Sequence, residues 1–381
     1  MHRSGAMLAV SKIERRAQKI SDPIARLKYL RNAAASGRTS STGWRWAASL
    51  MLAVAIAFLG ARNAQSRQTV AIRIPAEVKT QVSPAPAAET PVVWPVEQNN
   101  QYDLYSNGLR IENNLEVANE PRSYALISRE SGSVAARRSQ PAGIVFHMTE
   151  SPQASFEPEE KATLMRIGQG LLLYVRSKRA YHFVIDRFGR VHRIVAESDT
   201  ANHAGNSVWA DSEWLYVDLN ASFIGVAFEG QTQKDEPAVN DAQFHAARLL
   251  TEMLRGKYNL PAGNCVTHAQ VSVNPDNMRI GWHTDWGATF AFQEVGLPDN
   301  YEIPNPALYV FGFEYDQAYV NSTGPGLWKG LALAETKMRE SATEHGLTIA
   351  QYRKLLQQRY KSARSVSKPV SVDEEKKNAS L

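Results

Sequence analysis

The residues of this chain best suited to chemistry are histidines and one aspartate gathered at a loop-like stretch. Residues 263–287, GNCVTHAQVSVNPDNMRIGWHTDWG, hold His268, His283 and Asp285. Asn274-Pro275 and Gly281 interrupt any long regular element there, so these side chains are presented on a loop. A further candidate, His147, lies far upstream. It follows the apolar run Ala142–Phe146, where a buried strand would carry it to a sheet edge. Imidazoles and a carboxylate suit a catalytic zinc site, which takes three N/O protein ligands and keeps a fourth position for water. Spacing alone does not choose three ligands from these four residues, and a histidine standing singly is as readily structural.

The elements that must position them alternate in type. AGIVFH reads as a buried strand. Residues 158–179 read as a helix, with Leu164, Ile167, Leu171 and Val175 on one face, acidic residues early and basic residues late. YHFVID and GRVHRIV flank Arg187-Phe188-Gly189 as a hairpin. SFIGVAFEG is almost continuously apolar, as expected of a central strand covered on both faces. Residues 241–257 form an amphipathic helix through Phe244, Ala247, Leu250 and Leu254. This order predicts an α/β layered fold. Short strands are expected within 100–135. Beyond 300, YEIPNPALYVFGFEYDQ reads as strand or loop, and 329–345 and 348–362 as two helices.

Composition bounds the partners. Cys265 is the only cysteine, which excludes an intramolecular disulfide and a thiolate zinc cluster. Residues 1–45 carry ten Lys/Arg against Glu14 and Asp22, a net +8; the whole chain carries +5, so the rest is at −3. The globular part therefore gives no reason to expect a nucleic-acid partner. The uncharged run WAASLMLAVAIAFLGA follows the basic arm. That order predicts a membrane segment with the arm in the cytoplasm and the remainder outside. A cleaved signal peptide is the competing expectation. The Ala/Pro/Thr-rich residues that follow, including SPAPAAETPVVWP, read as an extended linker.

GIVFHMTES, RAYHFVIDRFGRVHRIV, ANHAGNSVW, SFIGVAFEG and VTHAQVSVNP…GWHTDW occur in this order. Together they resemble the zinc-dependent N-acetylmuramoyl-L-alanine amidases of the type-2 family, which share their fold with peptidoglycan recognition proteins and amidase-type phage lysozymes. The resemblance spans about residues 140–290. It implies a central mixed β-sheet flanked by helices, with peptidoglycan or muropeptides as substrate. The implied reaction is hydrolysis of the amide between N-acetylmuramic acid and L-alanine by zinc-activated water.

The resemblance also assigns roles. His147, His268 and Asp285 match the zinc ligands. His283 matches a catalytic cation, commonly lysine in relatives. Tyr181 matches the tyrosine of the phage lysozymes and catalytic recognition proteins. The glutamate that serves many relatives as general base aligns with Ala227; Glu229, two residues on and on the same strand face, is the substitute within the chain. His203, Asn206 and Trp209 match a substrate-lining motif. The missing glutamate keeps a second expectation in play, a non-catalytic peptidoglycan-binding module of the same fold.

The expected layout is a basic cytoplasmic arm over 1–43, an inner-membrane signal-anchor over 44–61 and a Pro/Ala-rich linker over 62–99. A zinc amidase domain over 100–300, with its core at 140–290, would then lie in the periplasm. A C-terminal extension with a helical hairpin over 301–362 and a disordered tail over 363–381 complete it.

Overall fold

The apolar run SFIGVAFEG, expected as a central strand, and the buried run before His147 pair side by side inside the main sheet. Gly143–Met148 and Phe223–Phe228 are buried along their whole lengths and pair in parallel, from Gly143 opposite Phe223 to Met148 opposite Phe228. Strands covered on both faces need no polar alternation, which is why these segments read as continuous hydrophobic runs. The computed structural model describes residues 92–231, 239–287 and 289–367, all within the compact unit Pro84–Leu381. The expected arm at 1–43 and anchor at 44–61 lie outside the described residues. Among the described residues no helix is long and apolar enough to cross a membrane.

Numbered along the chain, the strands are β1 (Pro95–Gln98), β2 (Tyr102–Tyr105), β3 (Arg110–Glu112), β4 (Tyr124–Ser128), β5 (Val134–Arg138) and β6 (Gly143–Met148). There follow β7 (Phe183–Ile185), β8 (Val191–Arg193), β9 (Trp209–Ala210), β10 (Trp214–Tyr216), β11 (Phe223–Phe228), β12 (Cys265–Thr267), β13 (Val273–Asn274) and β14 (Arg279–Ile280). The main sheet has eight strands in the order β1-β2-β3-β8-β7-β11-β6-β12. It is mixed: β12, β6, β11 and β7 run parallel, whereas β7 and β8 form the expected antiparallel hairpin. A smaller sheet, β5-β4-β10-β9, accompanies it.

Two long helices cover opposite faces. Helix α1 (Lys161–Lys178) buries Leu164, Leu172 and Val175 and packs with Val184 and Ala227. Its apolar content exceeds the stripe it buries, leaving Met165, Leu173 and Tyr174 exposed. Helix α2 (Asp241–Tyr258) packs on the other face with Phe146 and Phe228. It begins at a capping box, in which Asn240 accepts from the Gln243 backbone N–H and the Gln243 side chain accepts from that of Asn240.

Two expected boundaries shift. The linker does not run to residue 99, because Pro95–Gln98 is already a strand paired with β2. The Asn99 side chain accepts from the Gln101 and Tyr102 amides, a local turn that composition does not reveal. At the other end the helical hairpin is α5 (Pro325–Glu344) and α6 (Ile349–Ser367), preceded by the short α4 (Gln317–Thr323) and, earlier in the chain, α3 (His268–Val271). Helix α6 continues past 362 into the expected tail. Ala363 extends its buried stripe of Tyr352, Leu356 and Tyr360 at helical spacing, so packing carries the helix on.

The N-terminal strands join the sheet through a buried ionic cluster. Arg193 on β8 pairs with Asp103 on β2 at 2.9 Å and with Glu197 at 3.1 Å, and Lys257 on α2 reaches Glu197 at 3.3 Å. Burial pushes the Glu197 carboxyl up, but Arg193 and Lys257 outweigh it and hold the group below its usual range. Its stabilising contribution is therefore present above the unfolded carboxylate pKa and is lost as pH falls through the lower folded value. Arg193→Met removes the cation paired with buried Asp103 and leaves Glu197 with Lys257 alone, so we expect it to lower stability at neutral pH by about 3–5 kcal/mol in urea unfolding. An unchanged midpoint would show that β1–β3 are held by other contacts.

Candidate metal centre

Three separate elements converge on one point. His147 is the penultimate residue of the central strand β6, opposite Ala227 in register, and is fully buried. His268 follows β12 directly and opens α3, where Thr267 and Gln270 form a capping box. Asp285 comes from the loop after β14. Its Oδ1 lies 2.8 Å from His268 Nδ1 and its Oδ2 3.5 Å from His147 Nδ1. Oδ2 also accepts from the Met148 amide at 3.3 Å. One ligand atom from each residue falls within 4.8 Å of the others, and this is the metal-capable His/Cys/Asp/Glu group found among the described residues.

The electrostatics suit a metal. Burial, then His268, pushes the His147 imidazole down to about 4, so the ring is neutral at pH 7. Burial opposes the Asp285 charge, yet the His268 and His147 imidazoles hold its carboxyl well below the usual range. His147 Nδ1 and His268 Nε2 are buried with no hydrogen-bond partner. A buried polar nitrogen without a partner calls for one. Two imidazoles and a carboxylate are the donor set of a catalytic zinc, so the residues present fit that ion.

His283 is not a member of the group. It is exposed, stacks on His268 with centroids 4.6 Å apart at 19°, and donates its backbone N–H to Ser272 Oγ. Tyr181 lies beside His147. Its ring is 5.1 Å from that of His147, and its backbone is left-handed, with φ at 64°. Burial pushes its phenol pKa up, so at neutral pH it is a donor.

Three assignments from the sequence change. Glu229 is on the face expected from its strand, but the carboxylate accepts from the Arg187 amide and lies against Gly168 of α1, outside the group at His147. Trp209 is buried in the core behind β6, its indole N–H donated to Asn264 Oδ1, because β9 turns it inward. His203 is also buried rather than lining a groove, with Nδ1 3.0 Å from His147 Nε2. Of the three expected lining residues only Asn206 is exposed, and its side chain accepts from Arg364 on α6.

Residues beyond the recognisable motifs fasten the Asp285 loop. The Ala269 amide donates to the Asp285 carbonyl at 3.2 Å. The Tyr319 hydroxyl donates to the Ala269 carbonyl at 2.7 Å, and the Tyr301 hydroxyl to the Trp286 carbonyl at 2.6 Å. Trp286 needs that support, since it is non-glycine at φ 58°. Gly281 has φ 87°, and the Tyr319 ring occupies the place of a Cβ there. The sequence marks Gly281 as a loop break but gives no sign of the tyrosine against it. We expect Tyr319→Phe to cost about 1–3 kcal/mol by leaving the buried Ala269 carbonyl unpaired. Gly281→Ala should cost more, adding backbone strain to a collision. Thermal unfolding of both checks the order; a Gly281→Ala protein as stable as the parent would refute the bracing.

Residues 137–288 match the family model described as N-acetylmuramoyl-L-alanine amidase. No curated protein matches the chain. Among solved structures it is similar to the N-acetylmuramoyl-L-alanine amidase LysC from Clostridium intestinale URNW, at 22% identity over 49% of this chain and 93% of that one, with a TM-score of 0.27. It is similar to the amidase AmiD from E. coli, solved with the substrate anhydro-N-acetylmuramic acid-L-Ala-D-gamma-Glu-L-Lys, at 21% identity over 43% and 59%, with a TM-score of 0.31. Wild-type Drosophila PGRP-LB is similar at 16% identity over 42% and 85%, with a TM-score of 0.27. The stretch that matches this family model, residues 137–288, carries His147, His268 and Asp285.

Proposed function

We propose that the chain is a zinc-dependent amidase that hydrolyses the bond between N-acetylmuramic acid and the L-alanine of peptidoglycan stem peptides. The observation that carries this reading is the convergence of His147, His268 and Asp285, with a bare buried nitrogen, inside the region matched by the family. In this reading those three residues hold zinc, which when bound supplies a Lewis acid and a nucleophile at neutral pH.

The chain's own residues do the rest. Tyr181, kept protonated by its burial, donates to the scissile carbonyl oxygen as that atom gains charge. His283, exposed beside His268, offers a second N–H to the same oxygen. No proton route through Glu229 is invoked, because its carboxylate is turned to the Arg187 amide.

The Ala227 methyl opposite His147 favours a second reading, a module that binds peptidoglycan without cutting it. One experiment separates the two: zinc content of the purified chain measured beside turnover of muropeptides. The enzyme reading expects about one zinc per chain and release of free stem peptide. Zinc without turnover supports the binding module, and no zinc sinks the enzyme reading. His268→Ala should lose zinc. His283→Ala and Tyr181→Phe should retain it while losing roughly 100- to 1000-fold in rate, the usual effect of removing one oxyanion donor. Retention of zinc by His268→Ala would show the ligand set to be wrong.

We place the catalytic unit outside the cytoplasmic membrane, on the charge order of residues 1–61. A reporter fused at the C-terminus should be active in the periplasm. Activity confined to the cytoplasm would put peptidoglycan out of reach and overturn the placement.

A further inference from the structure

His203 occupies a pocket made for its ring. The Asn220 side chain accepts from the His203 and Ala204 amides at 2.9 and 2.7 Å, pinning the loop. The imidazole lies flat against Gly225 in the middle of β11, where a Cβ would stand 2.5 Å from its Cγ and 2.9 Å from its Cδ2. Nε2 faces the Phe223 carbonyl at 3.3 Å, and Nδ1 faces His147 Nε2 at 3.0 Å.

The carbonyl sets the direction of this chain of contacts. A carbonyl oxygen only accepts, so His203 carries its hydrogen on Nε2. A second hydrogen on Nδ1 would make a cation of a buried ring whose two nitrogens face a carbonyl and another imidazole, with no carboxylate to compensate at either contact. Nδ1 is therefore bare and accepts from His147 Nε2–H. A neutral imidazole has one N–H, which leaves His147 Nδ1 without a hydrogen. That atom is the one that faces Asp285 and has no hydrogen-bond partner.

We propose that His203 is a positioning residue that holds His147 in its Nε2–H tautomer, so that Nδ1 is presented bare to a metal ion. Gly225 is its accessory, because only the absence of a side chain there lets the ring reach. The proposal rests on the zinc reading for its consequence, but the tautomer itself belongs to the metal-free protein.

The test uses the full chain with 15N-labelled histidine. In the metal-free wild type, the His147 resonances, identified by their loss in His147→Asn, should show a protonated Nε2 and an unprotonated Nδ1. Competition with a chelator should show zinc binding weakened 10- to 100-fold in His203→Leu, the usual cost of losing the partner of a ligating histidine. His203→Asn, whose Oδ1 stands near the position of Nδ1, should restore most of the affinity. Gly225→Ala, which displaces the ring without removing it, should weaken binding in the same sense and serves if His203→Leu fails to fold. An Nδ1-protonated His147 in the wild type overturns the proposal, as does a His203→Leu affinity within threefold of wild type. A wild type that binds no zinc fails the zinc reading; the tautomer then decides for or against His203 by itself.

Discussion

A buried polar atom must have a partner, and His147 is where this structure feels that constraint most. The ring sits one residue from the end of a strand that is buried along its whole length. One nitrogen is met by another buried histidine, and the other is left facing a carboxylate. Leaving such an atom unmet costs about 1–3 kcal/mol. The protein thus holds a small deficit at the one point where β6, the start of α3 and the Asp285 loop meet.

The parts around that point differ in how firmly they are built. His147 and His268 sit at the ends of parallel neighbours β6 and β12, so their separation is fixed by backbone pairing. Asp285 comes from a loop that contains left-handed Gly281 and Trp286. Its position depends on the backbone amide of Ala269 and on two tyrosine hydroxyls from beyond residue 300. The regular sheet supplies two of the converging groups and irregular packing the third.

What the sequence disclosed follows the same division. Burial on both faces leaves a continuous apolar signature, so β6 and β11, and with them the placement of His147, could be read directly. The helices α1 and α2 were legible from their periodicity, to within a few residues at their ends. Side-chain direction at the turns was not. His203 and Trp209 lie in a motif that the family resemblance assigns to a groove, whereas loop pinning by Asn220 and the inward turn of β9 bury both. Glu229 was correctly placed on a strand face, but the amide of Arg187 claims its carboxylate. Gly225 carried a usable sign that was passed over, since glycine inside a strand marks a close approach. Pairings with no local pattern, such as Tyr319 against Gly281, are invisible until the chain is folded.

That last pair has a consequence for how the sequence can vary. The Tyr319 ring fills the volume that any side chain at 281 would need, and its hydroxyl ties the residue after His268. A larger residue at 281 is admissible only once the ring has gone, and loss of the ring leaves a void and an unsatisfied carbonyl beside the loop. Neither position is free to change first. Such reciprocal dependence works as a ratchet: the segment that carries Tyr319 is entrenched, and excision at the motif boundary is not a neutral cut.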